Sequence, residues 1–334
     1  MTTTSGTAKR GRAGGPYALL MVTMVLWGSA FAGSKAVVAQ VPHSVGAFLR
    51  FGFGAVALLL ALALSGRRSP GRPGAAARGG WLAAAAGVLG VFAYNGFFFW
   101  GLSLAPSLDA GILIPVMSPV LTSAFLLLTG RERAGWARVT GLALGLAGAA
   151  VFFLGAGGAG AGGSSRLLGD LLFLASAACW ATYTLIGPRI LAGVEPLRAT
   201  TYATCAGALL LGALAAPDLA DVAWRELPPG VWLNTAYLAV GATAVANVLY
   251  YRGVGAVGPA RASLMMFTVP VVNTLCATLL LSESFGPLQA TGALILLLGA
   301  TLAATRPRLP AHRPAPSATL SRRLRSSGDR APLS

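Results

Sequence analysis

Asn95 and Asn247 are the residues whose type and placement point most directly to chemistry. Each lies near the middle of a long apolar run, six residues before a glycine, Gly101 and Gly253. An amide in hydrocarbon is costly unless bonded, so both must face protein or water. Two uses remain open: hydrogen bonding between helices, or a polar pair on the wall of a solute cavity. With Trp27, Tyr94, Trp100, Trp180, Tyr183, Tyr250 and Tyr251, they could form an aromatic, amphipathic pocket for a partly apolar solute.

Lys35, Arg50, Asp109 and Asp170 map to the ends of apolar runs, where long side chains can reach the interface or pair with one another. Asp109 is the candidate coupling group, because it follows a very short turn and opens the run that holds Pro115 and Pro119. Glu132 lies between Arg131 and Arg133 and is expected to pair with them; Glu283 has no such neighbours.

Catalytic chemistry finds little to work with. The two histidines, His43 and His312, lie outside the middles of the runs, and neither His-Glu-x-x-His nor Gly-x-Ser-x-Gly occurs. Cys179, Cys205 and Cys276 sit in apolar runs without metal-like spacing. No catalytic residue, metal or cofactor is expected. Gly28 to Lys35 comes near a phosphate-binding loop, but Ser34 and Lys35 are in the wrong order and no strand precedes them.

The elements that must position these residues are membrane spans. The chain has 334 residues, 55% hydrophobic and 10% charged, with 44 glycines, a composition suited to lipid rather than to a soluble core. Ten apolar runs are long enough to cross a bilayer: about 17–37, 45–65, 81–104, 108–129, 136–156, 167–188, 197–216, 231–251, 260–281 and 287–304. Trp81, Trp136, Trp224 and Trp232, at run ends, read as interfacial anchors.

The runs form two copies. Pro119, Glu132 and Gly141 recur as Pro270, Glu283 and Gly292, each 151 positions on, and Asn95 recurs as Asn247 after 152. Prolines inside such runs, Pro115, Pro119 and Pro270, read as hinges or kinks whose freed carbonyls neighbouring helices satisfy. Gly141 and Gly145 have the small-residue spacing that brings membrane helices close together. Five runs per copy is odd, so successive copies cross in opposite senses. The expected fold is therefore all-α, ten transmembrane helices as two inverted five-helix repeats.

Net charge is +16, and with both termini in the cytoplasm 21 of the 25 Lys and Arg fall on the inner face, as the positive-inside rule requires. The basic charge thus implies a membrane and not nucleic acid.

These residues resemble the EamA-like family of the drug/metabolite transporter superfamily. The likeness rests on Trp27-Gly28, Arg50-Phe51, Pro119 with Glu132 and Gly141, and Pro270 with Glu283 and Gly292. Arg50 has no repeat counterpart; the corresponding region offers Tyr202. The resemblance covers a first five-helix repeat at 17–156 and a second at 167–304; composition and charge mark a cytoplasmic tail at 1–16, a Gly-rich linker at 157–166 and a basic tail at 305–334 expected to be disordered. The resemblance implies a multi-pass carrier in the cell membrane, monomer or homodimer, that moves a small metabolite or drug-like solute, often outward, by alternating access. A membrane-embedded enzyme and a passive channel are the other readings.

Overall fold

The computed structural model describes residues 14–65, 73–130, 135–157, 163–190, 194–258, 262, 265–284 and 286–304. Long apolar stretches must satisfy their backbone groups internally, and the helix does this within one segment. The described elements are helices: α1 (Gly14–Val38), α2 (His43–Leu64), α3 (Pro73–Gly87), α4 (Tyr94–Leu104), α5 (Ser107–Leu128), α6 (Trp136–Gly157), α7 (Gly163–Ile190), α8 (Pro196–Ala215), α9 (Pro229–Ala236), α10 (Ala246–Val257), α11 (Thr268–Leu281) and α12 (Pro287–Ala304). Two π-helical stretches, Val88–Ala93 and Tyr237–Val245, join α3 to α4 and α9 to α10.

Among the described residues eight helices are long and apolar enough to cross a membrane: Gly15–Val38, His43–Leu64, Gly79–Leu104, Ser107–Leu128, Trp136–Gly155, Gly163–Ile186, Pro196–Leu219 and Pro229–Val257. Thr268–Leu281 and Pro287–Leu302 are apolar but shorter. Within the expected run 260–281, residues 260–261 and 263–264 lie outside the described residues, and α11 starts at Thr268, two residues before Pro270, whose missing N–H suits the first turn. Outward-facing leucines such as Leu64, Leu128 and Leu279 are at least 78% exposed, which in a chain of this length marks a surface made for lipid.

The first and second halves pack as exchanged partners. α1 lies on α11 and α7 on α5; α1 lies on α10 and α7 on α4; α2 packs on α8 and α6 on α12. Each pairing either joins equivalent helices or has its counterpart with the halves swapped. The α6–α12 crossing is backbone on backbone: a Cβ on Gly148 would lie 2.4 Å from the Leu296 nitrogen, and one on Gly292 2.4 Å from the Phe152 nitrogen. A Cβ on Gly299 would lie 2.7 Å from the Gly141 carbonyl oxygen. Without a hydrophobic force between helices in lipid, such close approach supplies the dispersion contact that holds them.

α5 runs through Pro115 and Pro119 without a break. The Ser118 hydroxyl, between the prolines, donates to the Ile114 carbonyl at 2.6 Å and lies 3.3 Å from the Ala177 carbonyl of α7. The segment 157–166 is only partly a linker, since α7 begins at Gly163; residues 158–162 lie outside the described residues, as do Glu132 and the tails 1–13 and 305–334. Trp81, within α3, and Trp136, the first residue of α6, are 73% and 88% exposed.

Candidate functional site

A cavity of about 170 Å³ lies where the two halves meet. Its wall takes Trp27, Phe31, Arg50, Phe51, Tyr94, Asn95, Phe98 and Pro115 from the first half, and Trp180, Tyr183, Thr200, Thr204, Thr243, Asn247, Met266 and Val269 from the second. Six of the expected pocket residues are therefore together: Trp27, Tyr94, Asn95, Trp180, Tyr183 and Asn247.

The two asparagines reach the wall in the same way. A π turn takes one residue more than an α turn and rotates the face that follows it. In each half such a stretch ends just before the asparagine, which is the second residue of α4 and of α10. Asn95 Nδ2 donates to the Val91 carbonyl at 2.8 Å, and Asn247 Nδ2 donates to the Thr243 carbonyl at 2.6 Å. With one N–H of each amide bonded on its own helix, the second N–H and the amide oxygen are left for other partners.

One side of the cavity is an aromatic wall. Tyr94 and Trp180 have ring centroids 5.4 Å apart, and Trp180 and Tyr183 are 5.7 Å apart, the spacing of tilted aromatic pairs. Trp27 donates its indole N–H to the Ala242 carbonyl at 3.2 Å and is backed by Tyr250 at 4.9 Å. Tyr250 thus stands behind the wall rather than on it. Trp100 is elsewhere, 43% exposed and stacked on His43 at 6.0 Å; it lies six residues past Tyr94, beyond the reach of the cavity. The Tyr251 side chain lies outside the described residues.

Arg50 departs from the expectation of a side chain reaching outward. Its Nε lies 3.4 Å from the Thr243 hydroxyl oxygen and its Nη1 donates to Ser34 Oγ at 3.2 Å, with the guanidinium 5.0 Å from the Phe51 ring centroid. It is the eighth residue of α2, about 10 Å along the helix, too deep for its side chain to prefer the interface. Ser34 and Lys35, from the apparent phosphate-loop pattern, serve as polar anchors instead: the Lys35 ammonium donates to the carbonyls of Leu102 and Ala105 at 2.6 and 2.9 Å, at the C-terminal end of α4.

Beyond the cavity, at the end where α5 and α7 start, lies a layer of charge. Arg166 makes a two-point bridge to fully buried Asp109, at 2.8 and 2.9 Å. Glu283 accepts from the Ser107 N–H, the Ser107 hydroxyl and the Leu108 N–H at 2.9–3.0 Å, capping α5 from the other half. Its lack of charged sequence neighbours is thereby explained: its partners are backbone amides distant in the chain. Asn273 donates to the Ser107 carbonyl at 2.9 Å, and this contact needs Gly111, where a Cβ would lie 1.9 Å from the Asn273 amide. Asp170 is fully buried in the same layer, and neither carboxyl oxygen has a hydrogen-bond partner among the described residues.

At the opposite side, a second hollow of about 590 Å³ is lined by Leu58, Leu64, Glu195, Thr200, Asn247 and Arg252 among others. Thr200 and Asn247 belong to both hollows. The aromatic-lined cavity thus has a wider hollow beside it on one side and a buried charged layer on the other.

The wall residues missed in the sequence include Phe31, Phe51, Phe98, Thr200, Thr204, Thr243, Met266 and Val269. Only Arg50 and the repeat offset carried a signal; the rest are residue types that any apolar span contains.

The profile of the EamA-like transporter family matches twice, over residues 15–154 and 167–305. The chain is 26% identical over 302 residues to "Uncharacterized transporter YyaM" of Bacillus subtilis, covering 89% of this chain and 95% of that one. It is 28% identical over 287 residues to "Probable terminal-alkyne amino-acid exporter" of Streptantibioticus cattleyicolor, covering 85% and 91%. It is 30% identical over 193 residues to "Aromatic amino acid exporter YddG" of Ancylobacter novellus, covering 57% and 64%. A solved chain described as "Crystal structure of protein" superposes with a TM-score of 0.57 at 25% identity, over 86% of this chain and 96% of that one. With two copies of the family domain, eight apolar helices of spanning length and transporters among its relatives, the protein is a multi-pass membrane transporter of the EamA-like transporter family.

Proposed function

We propose that the protein is a carrier that moves a small, partly apolar solute outward across the cell membrane by alternating access. The chain crosses ten times, as inverted five-helix repeats at 17–156 and 167–304 joined by 157–166, with tails at 1–16 and 305–334 and both termini cytoplasmic. It works as a monomer or homodimer. The single observation that carries this reading is the cavity at the meeting face of the halves, approached from the Glu195 side and shut on the Asp109 side by bonds between halves. An inverted pair of repeats converts one such state into its mirror by exchanging the conformations of the halves.

In this state the open approach faces the cytoplasm, so the solute enters from within. The solute-binding groups are Trp27, Tyr94, Asn95, Trp180, Tyr183 and Asn247, with Pro115, Pro119 and Pro270 and the Gly141 and Gly292 contacts shaping the moving helices. Asp109 belongs to the outer gate, where its bridge to Arg166 must part for the solute to leave. The names of two relatives support an amino-acid-like solute and outward flux.

Counterflow tests the reading. Proteoliposomes loaded with an unlabelled aromatic amino acid are expected to accumulate the labelled one transiently above equilibrium. Simple equilibration with no overshoot would favour a channel.

A further inference from the structure

Among the described residues Arg50 is the one charged side chain on the cavity wall. No carboxylate among the described residues bridges it; the ionisable groups whose charge acts on it are the phenols of Tyr94 and Tyr237. The acids of the described chain lie elsewhere: Asp109, Asp170 and Glu283 in the charged layer, Glu195 at the mouth of the second hollow beside Arg198, and Asp218, Asp221 and Glu226 between α8 and α9. A permanent positive charge held in an apolar, membrane-depth wall without a counter-ion is costly unless a ligand supplies one.

Its hydrogen bonds also leave the useful donors open. The guanidinium has five N–H groups, of which the Ser34 and Thr243 hydroxyls engage one on Nη1 and the one on Nε. These two contacts and the Phe51 ring hold the plane in place. The remaining N–H groups, those of Nη2 foremost, form the planar fork that matches a carboxylate.

We infer that the cavity binds a small monocarboxylate, its anionic end on Arg50 and its apolar or aromatic body against Tyr94, Trp180 and Tyr183. One cation on the wall selects one negative charge, which disfavours nucleotide and sugar-phosphate solutes. The absence of an acid among the described wall residues disfavours cationic drugs. The amide oxygens of Asn95 and Asn247 remain as neutral acceptors for a hydroxyl or ammonium on the same solute. The inference rests on the carrier reading only in taking this bound anion to be the cargo.

The test uses the purified full-length protein and matched probes: 3-phenylpropionate, 3-indolepropionate and hexanoate, each with its amide and its primary-amine analogue. Thermal shift and quenching of tryptophan fluorescence read binding. At least one carboxylate is expected to raise the melting temperature and to bind about tenfold or more tighter than its amide and amine. Arg50→Gln is expected to erase that preference while leaving amide binding unchanged, which also shows that the variant is folded. Arg50→Lys, which keeps the charge and loses the fork, should fall between. Silence from every carboxylate, an equal response to the amides or amines, or a preference that survives Arg50→Gln would overturn the anion site. Counterflow separates the two claims. Carboxylate binding that depends on Arg50 with no counterflow of that carboxylate would sustain the anion site and refute the carrier. Counterflow of a carboxylate and its amide at the same rate, unchanged in Arg50→Gln, would do the reverse.

Discussion

Asn95 and Asn247, 152 positions apart, make the same hydrogen bond to the carbonyl four residues back, each just beyond a π-helical stretch. Each side-chain nitrogen spends one N–H within its own helix, and neither amide makes a hydrogen bond to another helix among the described residues. Substituting either is therefore expected to weaken solute binding more than folding. Asn95→Ala or Asn247→Ala should lower solute affinity by about two- to tenfold, the scale of one hydrogen bond, with a melting temperature close to wild type. Unchanged binding in both variants, at normal expression, would return the pair to a structural role.

The Asp109 layer predicts a dependence on pH. Asp109 is held by Arg166 and lies within the field of Lys35 and Glu283, while Asp170 has no donor for either oxygen among the described residues. A proton bound between the two aspartates supplies the missing donor and steadies the closed layer. Asp170→Asn, which places a permanent donor there, should keep the fold and flatten the pH dependence of transport. Asp109→Asn should also flatten it, at a greater cost in stability, because it leaves Arg166 without its bridge. A full pH response in both variants would remove the pair from coupling.

Backbone packing predicts opposite signs at two glycines. Gly148→Ala forces a Cβ to within 2.4 Å of Leu296 backbone and should destabilise by about 1–3 kcal/mol, as overpacking does. Gly96, in α4, has nothing within 4 Å of its would-be Cβ, so Gly96→Ala should be neutral or stabilising, by up to about 1 kcal/mol. Thermal unfolding in one detergent compares the two.

Threading can be checked with fusions. A phosphatase fused after Gly160 should be active and a fluorescent protein at the same point dark, with the reverse at the amino terminus. Fluorescence at both points would rule out the opposed crossing of the halves.

Much of this was legible in the sequence because hydrocarbon imposes strict rules. Apolar length marked the helices, and the recurrence of Asn95 as Asn247 located two cavity residues before any coordinates. What stayed hidden depended on helix rotation and on contacts between distant segments. Trp100 resembled Trp180 in type, yet it sits on a face that turns toward His43. Arg50 looked like a side chain near a helix end, whereas two hydroxyls from other helices draw it inward. Glu283 had no partner in its own neighbourhood because its partners are the first amides of α5. Nor does any residue type announce the π stretches that rotate the asparagines.

Cysteine accessibility tests alternating access most directly. In a background without Cys179, Cys205 and Cys276, single cysteines at Pro196, exposed on the second hollow, and at Ser107, fully buried in the closed layer, can be probed from each face with an impermeant maleimide. Without solute, Pro196→Cys should react from the cytoplasmic face and Ser107→Cys should be protected. During solute exchange, Ser107→Cys should become reactive from the opposite face while Pro196→Cys slows. Reaction rates at both positions that ignore the solute, or that are high at both ends together, would contradict a carrier that opens to one side at a time.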